Sequence, residues 1–347
     1  AYARGVNAGV AALPALPPEF VLLGRSFEPW RVADTMLVAR LVTFGFAGNW
    51  NTELIRERLA AALGPEVAAA LDPVHPSHGT VTGRPYASDA AERLLEAYRE
   101  AVEAGLPSGL ASNAWAVSAA RTGTGMPLLA GDPHVDVALP CLFHVAHVQG
   151  GDLDVVGAGV AGVPGVLMGH NRRLAWSITA GMADVADCFI ETFEAPDSPR
   201  YRTPEGWATA EEHSEVIAVQ GGAPVTERVF VTRHGPVVGP ALPGETRAIA
   251  MRSVVVEGGD LATPFAALWR ASSVAEADRA LLGWAGTTFN FVMADVDGRI
   301  AYRMAGGVPR RERGQGLLPQ DGATSPGPAP LWPTEVLPAL FDPAEGI

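Results

Sequence analysis

The sequence predicts an α+β fold in which helices come first and a largely antiparallel β portion follows. Apolar residues recur at helical spacing in the first part of the chain, and short β-type runs bounded by Gly, Pro or Asn begin near residue 114. Segregated helices and strands favour a layered α+β domain over alternating βαβ units. With 347 residues, 48% of them hydrophobic, the chain can bury a sizeable core.

Three helices are predicted in the first part of the chain. The first has a broad apolar face over residues 36–44, and Asp34 is expected to cap it. The second ends at Gly64, where glycine can adopt the left-handed conformation of a helix terminus. The third covers residues 88–105. Pro and Gly residues between these segments indicate turns.

The β portion contains one strong hairpin signal and one helix. Two strand-like runs flank the dipeptide Asp297-Gly298, a sequence typical of a tight turn between antiparallel strands. Residues 274–283 interrupt the β pattern with helical spacing. The β portion is therefore expected to be a sheet with a helix packed against it.

Charge and composition narrow the classes of partner. The formal net charge is −13, which argues against nucleic acid because phosphates require a positive field. All 25 basic residues are Arg, so neither a phosphate-loop lysine nor a Schiff-base lysine is available. The most apolar run, residues 155–169, is shorter than the ~18 residues a bilayer requires, so no membrane span is expected. Cys141 and Cys188 are compatible with one disulfide or two separate thiols.

A glycine run matches the dinucleotide-binding pattern G-x-G-x-x-G. It comprises Gly157, Gly159 and Gly162, and it follows a strand-like segment. A dinucleotide site needs a helix to begin at this point, so that its N-terminus faces the pyrophosphate. Pro164 and the glycine after it argue against such a helix. We therefore expect a glycine-rich turn between strands here rather than a nucleotide-dependent oxidoreductase.

Ser112 and an acidic pair have little meaning as local motifs. Ser112 enters a strand, but no G-x-S-x-G elbow surrounds it and no base lies nearby in sequence. Asp184 and Asp187 could bind a hard cation together with a backbone carbonyl between them, although paired carboxylates in loops are usually solvated. His134, His144 and His147 lack the spacing of a closed zinc site.

Nine segments, spread in a fixed order along nearly the whole chain, are together more specific than any single motif. They are Ser112–Val117, Pro127–His134, Gly162–Gly165, Gly169–Asn171, Ala175–Trp176, Asp184–Asp187, Thr232–Pro236, Asn290–Gly298 and Val308–Arg310. This arrangement resembles the penicillin acylase family of N-terminal-nucleophile (Ntn) amidohydrolases. The family includes cephalosporin and acyl-homoserine-lactone acylases.

The resemblance implies the architecture of the molecule. It implies an αββα sandwich, in which residues 1–111 are the helical part of an α-chain with a possible spacer. Residues 112–347 are then the N-terminal portion of a β-chain that carries the nucleophile and the sheet core. The resemblance also implies an α/β heterodimer made from one precursor, in a periplasmic or secreted location.

The resemblance also implies a mechanism. The precursor would cleave itself between Ala111 and Ser112, and the freed α-amine of Ser112 would act as the base for its own hydroxyl. That amine has an ordinary pKa of about 7.7–8.0, so it is a usable base near neutral pH. Ser112 would carry the acyl group, His134 would support the nucleophile, and the backbone N–H of Ala180 would form half of the oxyanion hole.

The predicted substrate is the acyl amide of a small molecule. The resemblance places Val135, Met168 and Ile178 at the acyl pocket, where some relatives have an aromatic wall. An aliphatic lining suits a linear acyl chain, as in an acyl-homoserine lactone or a β-lactam side chain.

No cofactor is expected for catalysis, whereas a structural Ca²⁺ is implied by the same resemblance. Asp184, the carbonyl of Ala186 and Asp187 match a family calcium site, and Glu53 is an expected ligand from the helical part.

One alternative stays open at this point. The chain could be an uncleaved or truncated homologue without catalytic activity, acting as a precursor or binding module with Ser112 internal. The segment 342–346 resembles the sequence just before a second oxyanion donor of the family, an Asn, which is expected downstream of Ile347.

Overall fold

The chain is described by a computed structural model that covers residues 1–47, 50–65, 67, 111–135, 137–239, 245–312 and 316–347. Its described helices are α1 (Tyr2–Ala11), α2 (Pro18–Leu22), α3 (Val32–Gly45), α4 (Trp50–Leu63), α5 (Val254–Glu257), α6 (Thr263–Leu268) and α7 (Val274–Leu281). Helices come first and strands dominate from Ala111 onward, which confirms the predicted α+β class. The third predicted helix, residues 88–105, lies outside the described residues.

The strands follow from Ala111. They are β1 (Ala111–Val117), β2 (Leu128–His134), β3 (Phe143–Gly150), β4 (Leu153–Val160), β5 (Met168–His170), β6 (Leu174–Ala180), β7 (Ala186–Thr192), β8 (Arg200–Thr203), β9 (Gly206–Thr209), β10 (Glu211–Ile217), β11 (Val225–Thr232), β12 (Gly235–Pro236), β13 (Arg247–Ser253), β14 (Phe289–Asp295), β15 (Ile300–Ala305), β16 (Gln320–Asp321) and β17 (Ala339–Phe341).

The largest sheet has seven strands in the order β17-β15-β14-β6-β5-β4-β3. Every adjacent pair in it is antiparallel. The predicted hairpin is confirmed, since β14 and β15 pair around a turn in which Gly298 has a φ of +94°. A second sheet, β13-β7-β16, is smaller.

The α3 helix has its N-terminal cap three residues before the expected one. The residue at this position is Arg31, and Asp34 lies inside the first turn, where its carboxylate accepts a hydrogen bond from the Arg31 backbone N–H at 2.7 Å. The expectation that Asp34 caps the helix is therefore wrong. An acidic residue in the third helical position can reach back to the cap residue, and this produces the same sequence signal.

The main core lies between the seven-stranded sheet and the helices α6 and α7. Its fully buried members include Trp176 of β6, Phe291 of β14, Leu268 of α6 and Leu281 of α7. The predicted helix is confirmed as α7, and Ser273 caps it by accepting from the Glu276 backbone N–H. The core fixes which face of β6 and β14 points toward the helices.

The opposite face of the same sheet carries the two-stranded sheet formed by β1 and β2. Ala116 of β1 belongs to a small apolar cluster with Ala294 and Ile300 of the large sheet. Further along the hairpin, a side chain at Gly131 would meet the Ser177 hydroxyl oxygen at 1.9 Å. Only a glycine therefore allows β2 to approach β6 this closely.

The glycine run does not form the turn that its composition predicts. Gly157 and Gly159 lie within β4, and only Gly162 is in a turn. A side chain at Gly157 would lie 2.1 Å from the Met168 carbonyl oxygen, so these glycines permit close backbone approach between β4 and β5. Because a strand rather than a helix occupies the run, the dinucleotide interpretation lacks its structural basis.

Two further expectations concern the membrane and the cysteines. No described helix has the length and apolarity required to span a bilayer. Cys141 is exposed, Cys188 is buried, and both are unpaired thiols. Of the two arrangements that the sequence left open, two separate thiols are therefore observed.

We expect Gly131→Ala to destabilise the packing of the hairpin on the large sheet. The added methyl group would collide with Ser177, and such overpacking typically costs about 1–3 kcal/mol. Gly150→Ala is the matched control, because a methyl group added there would have no atom within 4 Å. Chemical denaturation of the two variants measures the difference. Equal stability of both variants would contradict the close contact.

Candidate active site

Ser112 lies at the start of β1, on the face of the hairpin that packs against the large sheet. It pairs with Pro133 and shares its face with Ala114 and Ala116, since side chains alternate along a strand. Ala116 contacts the cluster around Ala294, and the row of Ala114 and Gly131 lies over Ser177. Ser112 lies on this same face, at the end of β1 beyond Ala114.

The hydroxyl of Ser112 is close to the peptide bond that precedes it. The hydroxyl oxygen donates a hydrogen bond to the carbonyl oxygen of Ala111 at 2.5 Å. Ser112 is only half-buried, so water can reach this end of the hairpin. The hydroxyl therefore lies beside the carbonyl group that self-cleavage would require it to attack.

Ala180 is the last residue of β6, and its N–H does not take part in the ladder with β14. Ala180 pairs with Phe289, and the adjacent Gly181 N–H donates to the Thr288 carbonyl at 2.8 Å. In an antiparallel ladder this bond marks the Ala180–Phe289 pair as the non-hydrogen-bonded type. The N–H of Ala180 is consequently directed toward the other side of β6.

On that other side, β5 covers only the beginning of β6. The described pairing ends at Trp176, because the chain before Met168 leaves the sheet toward α6. Trp269, which follows α6, donates to the Val166 carbonyl at 2.7 Å and packs against Gly165. The edge of β6 next to Ala180 is thus not covered by β5, and an N–H directed there can serve a ligand.

His134 lies next to the Ala111–Ser112 peptide bond in the ladder, but its side chain is on the other face of the hairpin. It pairs with Ala111, and its Nε2 lies 2.8 Å from a carboxylate oxygen of Asp132. The hydrogen bond from His134 holds the pKa of Asp132 below its ordinary value. Ser112 instead bonds to Ala111. The structure brings His134 and Ser112 onto neighbouring strands without joining their side chains.

An apolar cavity of about 320 Å³ lies on the helix side of the sheet. Its walls come from α3, α6 and the segment before β5, and include Ala39, Phe46, Val166, Ala266 and Phe289. Phe289 is the residue that pairs with Ala180. One wall of the cavity is therefore formed by the β14 residue that pairs with Ala180, while no β6 residue is among the described residues that line it.

None of the three predicted pocket residues is among the described residues that line this cavity, but two of them belong to the main apolar core cluster next to it. Ile178 is buried within the cluster and Met168 packs against it. Val135 follows β2 on the other side of the sheet and is not among the residues that line the cavity in the described part of the chain. The structure therefore groups Met168 with Ile178 and leaves Val135 apart from them.

The four predicted metal-site residues come together around a guanidinium group. Arg311 donates to a carboxylate oxygen of Asp187 at 2.7 Å, to the Asp184 carbonyl at 2.8 Å and to the Ala186 carbonyl at 3.1 Å. It also donates to a carboxylate oxygen of Asp184 at 3.1 Å. Sequence reasoning missed Arg311, because 124 residues separate it from Asp187.

Glu53 completes this cluster from α4. It is buried, and one carboxylate oxygen accepts from the Cys188 backbone N–H at 3.1 Å. Its other oxygen, Oε1, has no hydrogen-bond partner among the described residues. Burial, together with the charges of Asp187 and Asp184, raises the pKa of Glu53 well above its ordinary value.

These residues fit a hard cation in the type of ligand atom, since carboxylate and carbonyl oxygens are what such ions bind. The oxygen of Glu53 that has no hydrogen-bond partner among the described residues is a further possible metal ligand. In the arrangement observed, however, Arg311 holds the oxygens of Asp184 and Asp187. Within the described ranges, no three acidic, histidine or cysteine side chains converge as a metal site.

Comparison with known proteins identifies the family. The model of the penicillin amidase family matches residues 1–347. The chain is 34% identical to penicillin acylase 2 proenzyme from Pseudomonas sp. strain SE83, over 100% of this chain and 46% of that protein. It is 30% identical to the acyl-homoserine lactone acylase QuiP from Pseudomonas aeruginosa, over 92% of this chain and 40% of that protein.

The fold agrees with this match. Thermostable penicillin G acylase from Alcaligenes faecalis superposes with a TM-score of 0.61 at 25% identity, over 68% of this chain and 43% of that chain. The chain belongs to the penicillin amidase family, and both the predicted family and the predicted fold are confirmed. The chain spans less than half the length of these relatives.

Proposed function

We propose that the protein is an N-terminal-serine amidohydrolase. It would cleave the acyl amide of a small molecule, such as an acyl-homoserine lactone or a β-lactam side chain, through an acyl-enzyme on Ser112. The relatives named above as acylases of these two kinds support this class of substrate. The observation that carries the proposal is the packing of β1 on β6 with Ser112 on the face of β1 toward the large sheet, together with an Ala180 N–H directed at an edge of β6 that β5 does not cover.

The chemistry begins with the chain's own backbone. The Ser112 hydroxyl oxygen attacks the Ala111 carbonyl carbon, and the Ala111–Ser112 C–N bond breaks, which frees the α-amine of Ser112 and leaves an ester. Water then hydrolyses this ester and releases the Ala111 carboxylate and the Ser112 hydroxyl. The neutral amine then accepts the proton of the Ser112 hydroxyl as that oxygen attacks the substrate carbonyl. The Ala180 N–H stabilises the developing oxyanion, and removing one such donor typically costs about 10²–10³ in kcat. His134 is proposed to hold Ser112 and its α-amine in position.

The acyl chain enters the apolar cavity beside Ala180. It passes the uncovered edge of β6 and packs among Met168, Ile178 and the cavity walls, with Val135 near the entrance. A cavity of about 150 Å³ accommodates benzene. The cavity here is about 320 Å³, so a phenylacetyl group would fill it incompletely. A linear aliphatic chain would bury more apolar surface in it.

The mature protein is proposed to be an α/β heterodimer derived from one precursor, with residues 1–111 in the α-chain and its spacer, and to be periplasmic or secreted. The word proenzyme in the name of one relative is in keeping with processing. The rival is an uncleaved, non-catalytic form in which Ser112 stays internal and no free amine arises.

Cleavage at Ala111–Ser112 is expected in the full-length protein and not in its Ser112→Ala variant, because the variant lacks the attacking oxygen. Intact mass spectrometry should show two chains, one of which begins at Ser112, and the variant should remain a single chain without amide-hydrolase activity. Ser118→Ala, in the turn that follows the same strand, is the control and should be processed normally. A single active chain in the wild type would contradict the mechanism.

Octanoyl amides are expected to be better substrates than phenylacetyl amides, as judged by kcat/KM. Both acyl groups have seven carbon atoms beyond the carbonyl, so the expected preference comes from the larger apolar surface and the flexible shape of the linear chain. Ala266→Phe should reduce the preference because Ala266 lines the cavity. Ala267→Phe on the exposed side of α6 is the control. A clear preference of the wild type for phenylacetyl amides would contradict a linear aliphatic acyl chain as the substrate group.

We also propose that Ca²⁺ binds at the acidic cluster, with Glu53, Asp184, the Ala186 carbonyl and Asp187 as ligands. The orphaned oxygen of Glu53 and the excess of carboxylates over guanidinium support the site. Arg311 would then lose some of its hydrogen bonds to these oxygens, because the oxygens would coordinate the ion instead. The role of the ion would be to stabilise the junction between α4 and β7.

The full-length protein should therefore unfold at a higher temperature in Ca²⁺ than in a chelator. A ligand at 100 times its Kd stabilises a fold by about 2.7 kcal/mol. Glu53→Gln should abolish the difference, whereas Glu28→Gln on the exposed surface should preserve it. Identical unfolding of the wild type in calcium and chelator would show that Arg311 is the sole cation of this cluster.

A further inference from the structure

A chain of three polar side chains lies beneath the hairpin, on the face of the large sheet that Ser112 faces. The side-chain amide of Asn290 donates to the Thr179 hydroxyl at 3.0 Å and to the Ala180 carbonyl at 3.2 Å. The Asn290 carbonyl oxygen accepts from the Tyr302 hydroxyl at 2.8 Å. The chain therefore runs from Tyr302 through Asn290 to the end of β6.

The direction of these hydrogen bonds follows from donor and acceptor chemistry. The Ala180 carbonyl can only accept, so Asn290 must present its NH₂ group to it. The amide oxygen of Asn290 then faces Tyr302, and Tyr302 must donate. Because both amide hydrogens of Asn290 are engaged, this side chain has no donor left for a substrate oxyanion.

Asn290 secures Ala180 through contacts on both sides of that residue. One hydrogen bond holds the Thr179 side chain before it, and the other holds the carbonyl of Ala180 itself. The ladder with β14 contributes no bond to the Ala180 N–H, as its pairing type shows. The neighbouring Thr179–Asn290 pair is the hydrogen-bonded one, so the ladder holds the peptide that carries this N–H through the Thr179 carbonyl. The Asn290 side chain adds a second hold, on the Thr179 hydroxyl and on the Ala180 carbonyl.

We propose that Asn290, held by Tyr302, is a positioning residue that directs the Ala180 N–H at the developing oxyanion. This inference rests on the proposed function, in which Ala180 supplies that donor. The network acts through the backbone and does not touch substrate. An error of about 1 Å in such a group can cost 100-fold in rate.

Kinetics of the full-length protein separate positioning from general structural support. Asn290→Asp keeps the size of the side chain and its bond from Tyr302, but it loses the donor to the Ala180 carbonyl. We expect kcat per titrated active site to fall about 30- to 100-fold, while KM changes less than about twofold. Tyr302→Phe removes one hydrogen bond and should lower kcat about 2- to 10-fold.

Asn171→Asp is the matched control for these variants. Asn171 also makes several part-buried hydrogen bonds, including two to the Trp269 and Ala271 carbonyls, but it lies at the opposite end of β6. This variant should lower the unfolding temperature without lowering kcat. Unchanged kcat in both Asn290→Asp and Tyr302→Phe would overturn the proposal, as would an equal loss in Asn171→Asp.

A crystal structure of the Asn290→Asp variant tests the same idea without relying on activity. The peptide groups on either side of Ala180 should be rotated relative to the wild type, while the β14–β15 hairpin stays in place. Unmoved peptides would refute positioning by Asn290. Absence of hydrolysis by the wild type would refute the proposed function instead, so the two failures are distinguishable.

Discussion

The packing of the β1–β2 hairpin on β6 and β14 is the contact from which the candidate site follows. The absence of a side chain at Gly131 lets the two sheets approach at Ser177. The apolar contact of Ala116 with Ala294 and Ile300 sets the position along the strands. Together these two contacts hold β1 against β6, with Ser112 on the face of β1 that is turned toward the large sheet.

One face of β6 packs against the β1–β2 hairpin, and the other face packs against the helices. Side chains toward the hairpin include polar ones such as Thr179, whereas those toward the helices, such as Ile178, are buried in the apolar core. Ala180 lies where the cover provided by β5 has already ended. In the proposed function, a substrate would place its carbonyl near Ala180 and its apolar chain in the cavity behind the sheet. Burial would then supply binding energy, while the N–H would act on the developing charge.

Short sequence patterns predict those elements of the fold that depend on residues close together in the chain. The Asp297-Gly298 turn and the amphipathic helix α7 are both evident in the sequence, because turn chemistry and helical spacing act over a few residues. The turn predicted for the glycine run is found only at Gly162, since Gly157 and Gly159 lie in β4, where they permit a close backbone approach that only the tertiary structure reveals. Arg311 and Asn290 were not identified as functional candidates, because their roles depend on partners distant in sequence. Ser112 was recognisable only through the resemblance, as its proposed base arises by cleavage.

Trapping the acyl-enzyme is the decisive experiment, because the proposed function requires Ser112 to carry the acyl group. The full-length protein would be mixed with an octanoyl amide, quenched in acid within milliseconds to seconds, digested and examined by mass spectrometry. We expect an octanoyl adduct on the hydroxyl of Ser112, in a peptide whose first residue is Ser112 with a free amine. Turnover with an adduct on another residue, or on a Ser112 still joined to Ala111, would contradict the proposal.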